Sequence, residues 1–205
     1  MAQITAPNHL FKSLHLSNPQ SYNIYLVGSR LWGTNTDASD WDLLIVGDVS
    51  STQLTSLHKA QYDVKVLDRQ EFMQHINDGS IIEILCALMR KEDMLQYAFD
   101  IGQPTIDPAT MKTWMETRRA KDLDKAEKFW LKGNRQAAWK ILRHILHAKV
   151  LCDYLVIALR EKRVPLTIDN IQTIIRPASL LCDKSWMQLD WSDVRAATMD
   201  ALAQL

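Results

Sequence analysis

Residues 25–48, YLVGSRLWGTNTDASDWDLLIVGD, constrain the fold more than any other part of the chain. An apolar strand ends at Val27, turns at Gly28-Ser29, and a second strand begins around Asp40-Trp41-Asp42. Side chains alternate along a strand, so Asp40 and Asp42 share one face while Trp41 points away. Two neighbouring carboxylates repel each other, and a divalent cation between them removes that penalty. Mg²⁺ suits the position, because it takes one or two carboxylates together with phosphate oxygens. The Gly28-Ser29 turn offers backbone N–H groups to a phosphate, and glycine permits close approach and a positive φ. A phosphate cradle and metal-holding acids a dozen residues apart suggest metal-assisted phosphoryl or nucleotidyl transfer.

Other residues of this stretch have two readings each. The Ser29 hydroxyl can donate to a phosphate oxygen, or the turn can be an ordinary strand-to-helix connection. Arg30 can grip a phosphate through two donors, or pair with one of the acids. Ser39 caps the turn before Asp40 or touches phosphate. Gly33 serves loop geometry. Trp32, inside the loop, is the aromatic placed for nucleotide contact.

Periodicity and breakers predict the remaining elements. A short helix is expected over residues 9–17, with strands at 24–27, 41–46 and 62–67. Ser50 or Ser51 caps a short helix over 50–59, and Asp68 caps a helix over 69–76. Asn77-Asp78-Gly79 breaks it, and 80–88 is apolar enough for a buried helix. Residues 100–110, with Gly102, Pro104 and Pro108, form a linker. Helices then cover about 111–132, 134–162, 167–175 and 190–204, with Gly133-Asn134 ending the first of them.

Gly28-Ser29 followed by Asp40-Trp41-Asp42 resembles the signature of the DNA polymerase beta-like nucleotidyltransferase superfamily. The fuller string GSRLWG…SDWD, an acid-bearing strand and the helix EFMQHINDGSIIEILCAL are most similar to the YcgL-like nucleotidyltransferases of bacteria and phages. The resemblance covers about the first 110 residues and extends more loosely over the helical remainder. It implies a third acid on a later strand, which Asp63 supplies, with nearby Asp68 as the alternative. Asp63 shares its strand face with Lys65, while Tyr62, Val64 and Val66 face the core. The resemblance implies that Asp40 and Asp42 hold two Mg²⁺ ions, and that Asp63 helps to hold the second and orients the nucleophile. It further implies a nucleoside triphosphate substrate, an α+β catalytic domain over 1–110, a helical substrate-binding domain over 111–205, and a cleft between them.

The chain's 205 residues suit one large or two small domains, and 47% apolar residues with seven Trp supply a core. No uncharged apolar run reaches the roughly 18 residues of a membrane helix, and the N-terminal residues lack a signal pattern. The cysteines Cys86, Cys152 and Cys182 are odd in number and far apart, which argues for a reducing, cytoplasmic setting. No Cys/His cluster has zinc spacing.

The net charge of zero hides an uneven spread. Residues 1–110 carry −6 and residues 164–205 carry −2, against +8 for residues 111–163. Arg118, Lys121, Lys125, Lys128 and Lys132 follow steps of 3, 4, 3 and 4, one helix face about 21 Å long. Gln136, Lys140, Arg143 and His147 repeat the spacing on the next helix. These rows can track a polyanion or meet a triphosphate, dock on the acidic part, or face solvent. Arg143 and His147 stand too close together for the ribonuclease motif of HEPN helical domains. Trp114, Trp130, Trp139, Trp186 and Trp191 are expected in the core.

The reading is an Mg²⁺-dependent nucleotidyltransferase with an RNA acceptor. The alternatives are a small-molecule or protein acceptor, as in a toxin–antitoxin pair, and a non-catalytic nucleotide-binding module.

Overall fold

The computed structural model describes residues 18–48, 56–59 and 61–205. The helix expected over 9–17 and the first part of that expected over 50–59 lie outside these residues. The chain divides into two compact units. One comprises Met1–Asn77, Ile82–Ile106 and Pro165–Gln172, and the other Asp78–Ile81, Asp107–Val164 and Thr173–Leu205. The class is α+β, with a small mixed sheet near the N-terminus followed by a helical region.

The first unit is built on β1 (Asn23–Val27), β2 (Trp41–Gly47), β3 (Ser56–Lys59) and β4 (Tyr62–Asp68), in the spatial order β1-β2-β4-β3. β2 runs parallel to β4 and antiparallel to β1, and β3 runs antiparallel to β4. The expected helix over 50–59 is therefore corrected to a strand at Ser56–Lys59. Two residues separate Lys59 from Tyr62, so this segment folds back on β4 as a hairpin and satisfies its outer backbone groups. Ladder pairing overrides a serine cap signal.

One sheet face packs Tyr22, Ile24, Leu26, Leu43, Ile45, Val64 and Val66 together. Gly47 is required there, since a Cβ would overlap the Tyr22 ring. On the other face the Tyr25 ring stacks on Phe72 with centroids 6.0 Å apart. Phe72 belongs to α2 (Arg69–Asn77), following the short α1 (Gly28–Leu31). Asp68 begins α2 as expected: its Oδ1 accepts from the Glu71 N–H at 2.7 Å, and Glu71 Oε2 accepts from the Asp68 N–H at 3.2 Å. α3 follows at Ile81–Ala87.

The outer edge of β1 is occupied as well. The Ile24 N–H donates to the Gln96 carbonyl at 2.9 Å, and the Ile24 carbonyl accepts from the N–H groups of Leu95 and Gln96. Buried Asn23 continues the seam, its Oδ1 accepting from the N–H groups of Ala98 and Phe99 and its Nδ2 donating to the Phe99 carbonyl.

The second unit is helical. α4 spans Pro108–Leu131 and α5 spans Arg135–Arg160. α4 starts inside the expected linker, because proline is favoured at a first helical position and Asp107 accepts from the N–H groups of Ala109 and Thr110. α7 covers Trp191–Gln204. The core gathers Trp130, Trp139, Leu142, Leu146, Ala178, Trp186 and Leu202. α6 covers Ile168–Leu181, and its residues from Thr173 onward belong to this unit. The expected end at 175 is corrected, since the helix continues through Pro177. Proline removes one helical hydrogen bond, but its ring is exposed here, while Ile175, Ala178 and Cys182 are buried on the opposite stripe. Cys86, Cys152 and Cys182 are free and buried. Among the described residues no helix is long and apolar enough to cross a membrane.

Candidate active site

Strand register assembles the acids. Val27 pairs with Asp42, Asp42 with Asp63, and Asp63 with His58, so one row crosses all four strands. Registered neighbours on a sheet put their side chains on the same face about 5 Å apart. Asp42 and Asp63 are therefore adjacent carboxylates where the parallel strands β2 and β4 begin. Asp63 and Lys65 are exposed on this face while Val64 and Val66 are buried, the alternation expected from the sequence. Asp40 precedes β2 by one residue and is exposed.

The Gly28-Ser29 turn lies against Asp42. Gly28 has φ of 62°, and a Cβ there would overlap the Asp42 carboxylate. The Ser29 N–H donates to Asp42 Oδ2 at 3.3 Å. The backbone donor offered to a phosphate in the sequence reading is thus directed at a carboxylate, an anion that fills the same electrostatic position.

Arg30 holds backbone carbonyls. Its Nη2 donates to the Ser39 carbonyl at 2.8 Å, its Nε donates to the Asp40 carbonyl at 3.3 Å, and its guanidinium lies 4.1 Å from the Trp41 ring centroid. It fastens the Asp40 loop to α1. Ser39 closes a tight turn in that loop, its Oγ accepting from the Thr36 N–H at 2.9 Å. Gln172 donates to the Arg30 carbonyl at 3.4 Å and braces the loop from α6. Trp32, expected beside a nucleotide, is only 6% exposed and packs in the interior.

A second group on this sheet face escaped the sequence reading. Glu83 is buried, and its Oε1 accepts from Lys65 Nζ and from His75 Nδ1, each at 3.0 Å. Lys65 stands two residues from Asp63 on the same face, so the ion-paired cluster flanks the acids. The signal was the Asp63-x-Lys65 alternation, but the α2 and α3 partners had no sequence spacing to announce them.

In the helical unit, Lys121, Lys125, Lys128 and Lys132 are exposed along α4, as is Arg118, whose Nε donates to Asp122 Oδ2 at 2.8 Å. The second row divides. Lys140 is exposed, but Arg143 is half-buried with its guanidinium 4.6 Å from the Trp139 ring. His147 is buried with Nε2 2.8 Å from Ser179 Oγ. Arg143 and His147 therefore turn toward the unit's interior and do not extend the exposed cationic row.

Among the described residues no three His, Cys, Asp or Glu side chains are gathered around one point as metal ligands. The Asp42–Asp63 pair nevertheless has the chemistry of a magnesium site. Both donors are carboxylate oxygens, and such an ion completes its shell with water and phosphate. Residues 10–99 match the family model described as a nucleotidyltransferase domain, a span that contains every acid and turn residue above. The match supports transfer of a nucleoside monophosphate in general terms. No curated protein matches the chain.

Proposed function

We propose that the chain transfers a nucleoside monophosphate from a nucleoside triphosphate to the 3′ hydroxyl of an RNA and releases pyrophosphate. The observation that carries this reading is the Asp42–Asp63 pair in register, with the Gly28-Ser29 turn pressed against Asp42. The string GSRLWG…SDWD, which resembles the YcgL-like nucleotidyltransferases, supports this reading.

Asp40, Asp42 and Asp63 would hold magnesium. Two bound ions supply neutralisation of the triphosphate and activation of the acceptor hydroxyl. The remaining roles fall to the chain. The Ser29 N–H, which now donates to Asp42 Oδ2, and the Ser29 hydroxyl would bind a phosphate oxygen. Arg30 and Ser39 keep the Asp40 loop in place. Asp63 orients the acceptor oxygen, which attacks the α-phosphorus as the bond to pyrophosphate breaks and the hydroxyl passes its proton to water. Residues 1–110 form the catalytic domain in this reading, and the cations of residues 111–205 receive the acceptor.

Incubation with each labelled nucleoside triphosphate, Mg²⁺ and total RNA tests the proposal. The expected outcome is label joined to RNA and pyrophosphate released. Asp42→Asn should lose at least about a thousandfold in rate, near 4 kcal/mol of barrier, while its melting temperature stays level or rises slightly as one repelling carboxylate is removed. Wild-type turnover in Asp42→Asn would defeat the catalytic assignment. Label on a protein or small molecule instead of RNA would replace the acceptor.

A further inference from the structure

α4 presents one unbroken face to a cavity of about 500 Å³ within the helical unit. Thr113, Trp114, Thr117, Arg118 and Lys121 line it from the helix, and Asp78 lines it from the segment before α3. The volume lies within the usual range for small-ligand sites. Trp114, expected in the core, is only half-buried here and forms a wall.

The cavity has a chemical direction. Gly79, next to Asp78, packs against the Thr110 backbone, which places the Asp78 carboxylate near the start of α4. Arg118 and Lys121 stand two to three turns further along, roughly 12–17 Å away at the helical rise. Beyond them Lys125, Lys128 and Lys132 continue the exposed row on the same face. One end thus accepts hydrogen bonds, the middle is aromatic, and the far end is a run of cations.

We infer that this face binds single-stranded RNA, with one unstacked base against Trp114 and the phosphates along Arg118, Lys121, Lys125 and Lys128. A base has a π-face for the indole, and stacking of this kind contributes about 1–3 kcal/mol per base. A phosphate is repelled from Asp78 and attracted to Arg118, whose Nε is held by Asp122 and whose terminal amino groups remain to make the phosphate contact. Asp78 accepts from an exocyclic amino group, which cytosine, adenine and guanine carry and uracil lacks. The threonine hydroxyls line the space between base and phosphate. The RNA's role as acceptor rests on the proposed function, but its binding does not.

The test is fluorescence anisotropy with a labelled ten-nucleotide single-stranded RNA, without nucleoside triphosphate or Mg²⁺. Trp114→Leu should weaken binding about tenfold with little change in salt dependence, and Trp114→Phe should restore most of the loss. Changing Lys121, Lys125 and Lys128 together to Gln should lower the log–log salt slope by about 2, at roughly 0.7 per lost phosphate contact. Oligo(C) should bind more tightly than oligo(U), and Asp78→Asn should shrink that difference. A blunt RNA duplex, with no base free to enter, should bind at least tenfold more weakly. Equal affinity of Trp114→Leu and wild type for single strands, or equal binding of duplex and single strand, would overturn the inference. So would absence of RNA binding in a protein that still transfers a nucleoside monophosphate. Binding without any transfer would leave the inference standing and defeat the proposed function.

Discussion

Two constraints coincide at Gly28. Its φ of 62° is a left-handed conformation, and the space a side chain needs is filled by the Asp42 carboxylate. Gly28→Ala should therefore cost about 1–3 kcal/mol of stability, read as a lower denaturant midpoint, and should displace Asp42 and depress transfer. A variant with wild-type midpoint and wild-type rate would show that Asp42 has another place to go. The acids themselves were legible in the sequence, because strand alternation fixes which residues share a face. Arg30 was not. Guanidinium chemistry suits phosphates, carboxylates and carbonyls alike, and only the fold of residues 34–40 brought the carbonyls of Ser39 and Asp40 within reach. Trp32 misled for a related reason, since position in a phosphate loop does not tell whether a ring faces ligand or core.

Among the elements, α6 departs most from local propensity. Pro177 sits inside a helix that runs on to Leu181, with the ring exposed. Proline in a helix interior costs up to about 3 kcal/mol against alanine, partly returned by its stiffening of the unfolded chain. Pro177→Ala should raise stability by about 1–2 kcal/mol, seen as a higher denaturant midpoint with unchanged slope. A lower midpoint would mean that α6 needs the bend. The long helices α4 and α5 were legible because their periodicity is sustained and Gly133, with φ of 81°, separates them. β3 was not, since its four described residues carry no alternation and gain their structure from β4. Element boundaries failed near prolines: Pro108, expected within a linker, begins a helix, and Pro177 lies within a helix expected to end at 175.

At the scale of the molecule, acid should be a weakness. Burial pushes the His147 imidazole from its ordinary 6.5 down to about 3, with the His144 and Arg143 charges adding to the effect. Between about 3 and 6.5 the unfolded chain holds a proton that the folded chain refuses. Stability is therefore complete above about pH 6.5 and falls as the pH drops below it, by up to about 1.4 kcal/mol per pH unit for this histidine. Melting temperature should decline from pH 7 to pH 5, and His147→Gln should remove much of that decline, since glutamine can keep a hydrogen bond to Ser179 without titrating. An identical pH profile in the variant would assign the effect elsewhere.

The segment laid along β1 has a meaning for life in a crowded solution. A sheet edge with open N–H and C=O groups invites another chain to add itself as a strand, which is how ordered aggregates grow. At Ile24 both backbone groups are already bonded within the molecule, and Asn23 holds the adjoining residues where an invading strand would lie. Asn23→Ala should loosen this cover. The variant would then form fibrils that bind thioflavin at temperatures where the parent chain stays clear, although the substituted residue lies four ladder positions from Asp42 on β1 and β2.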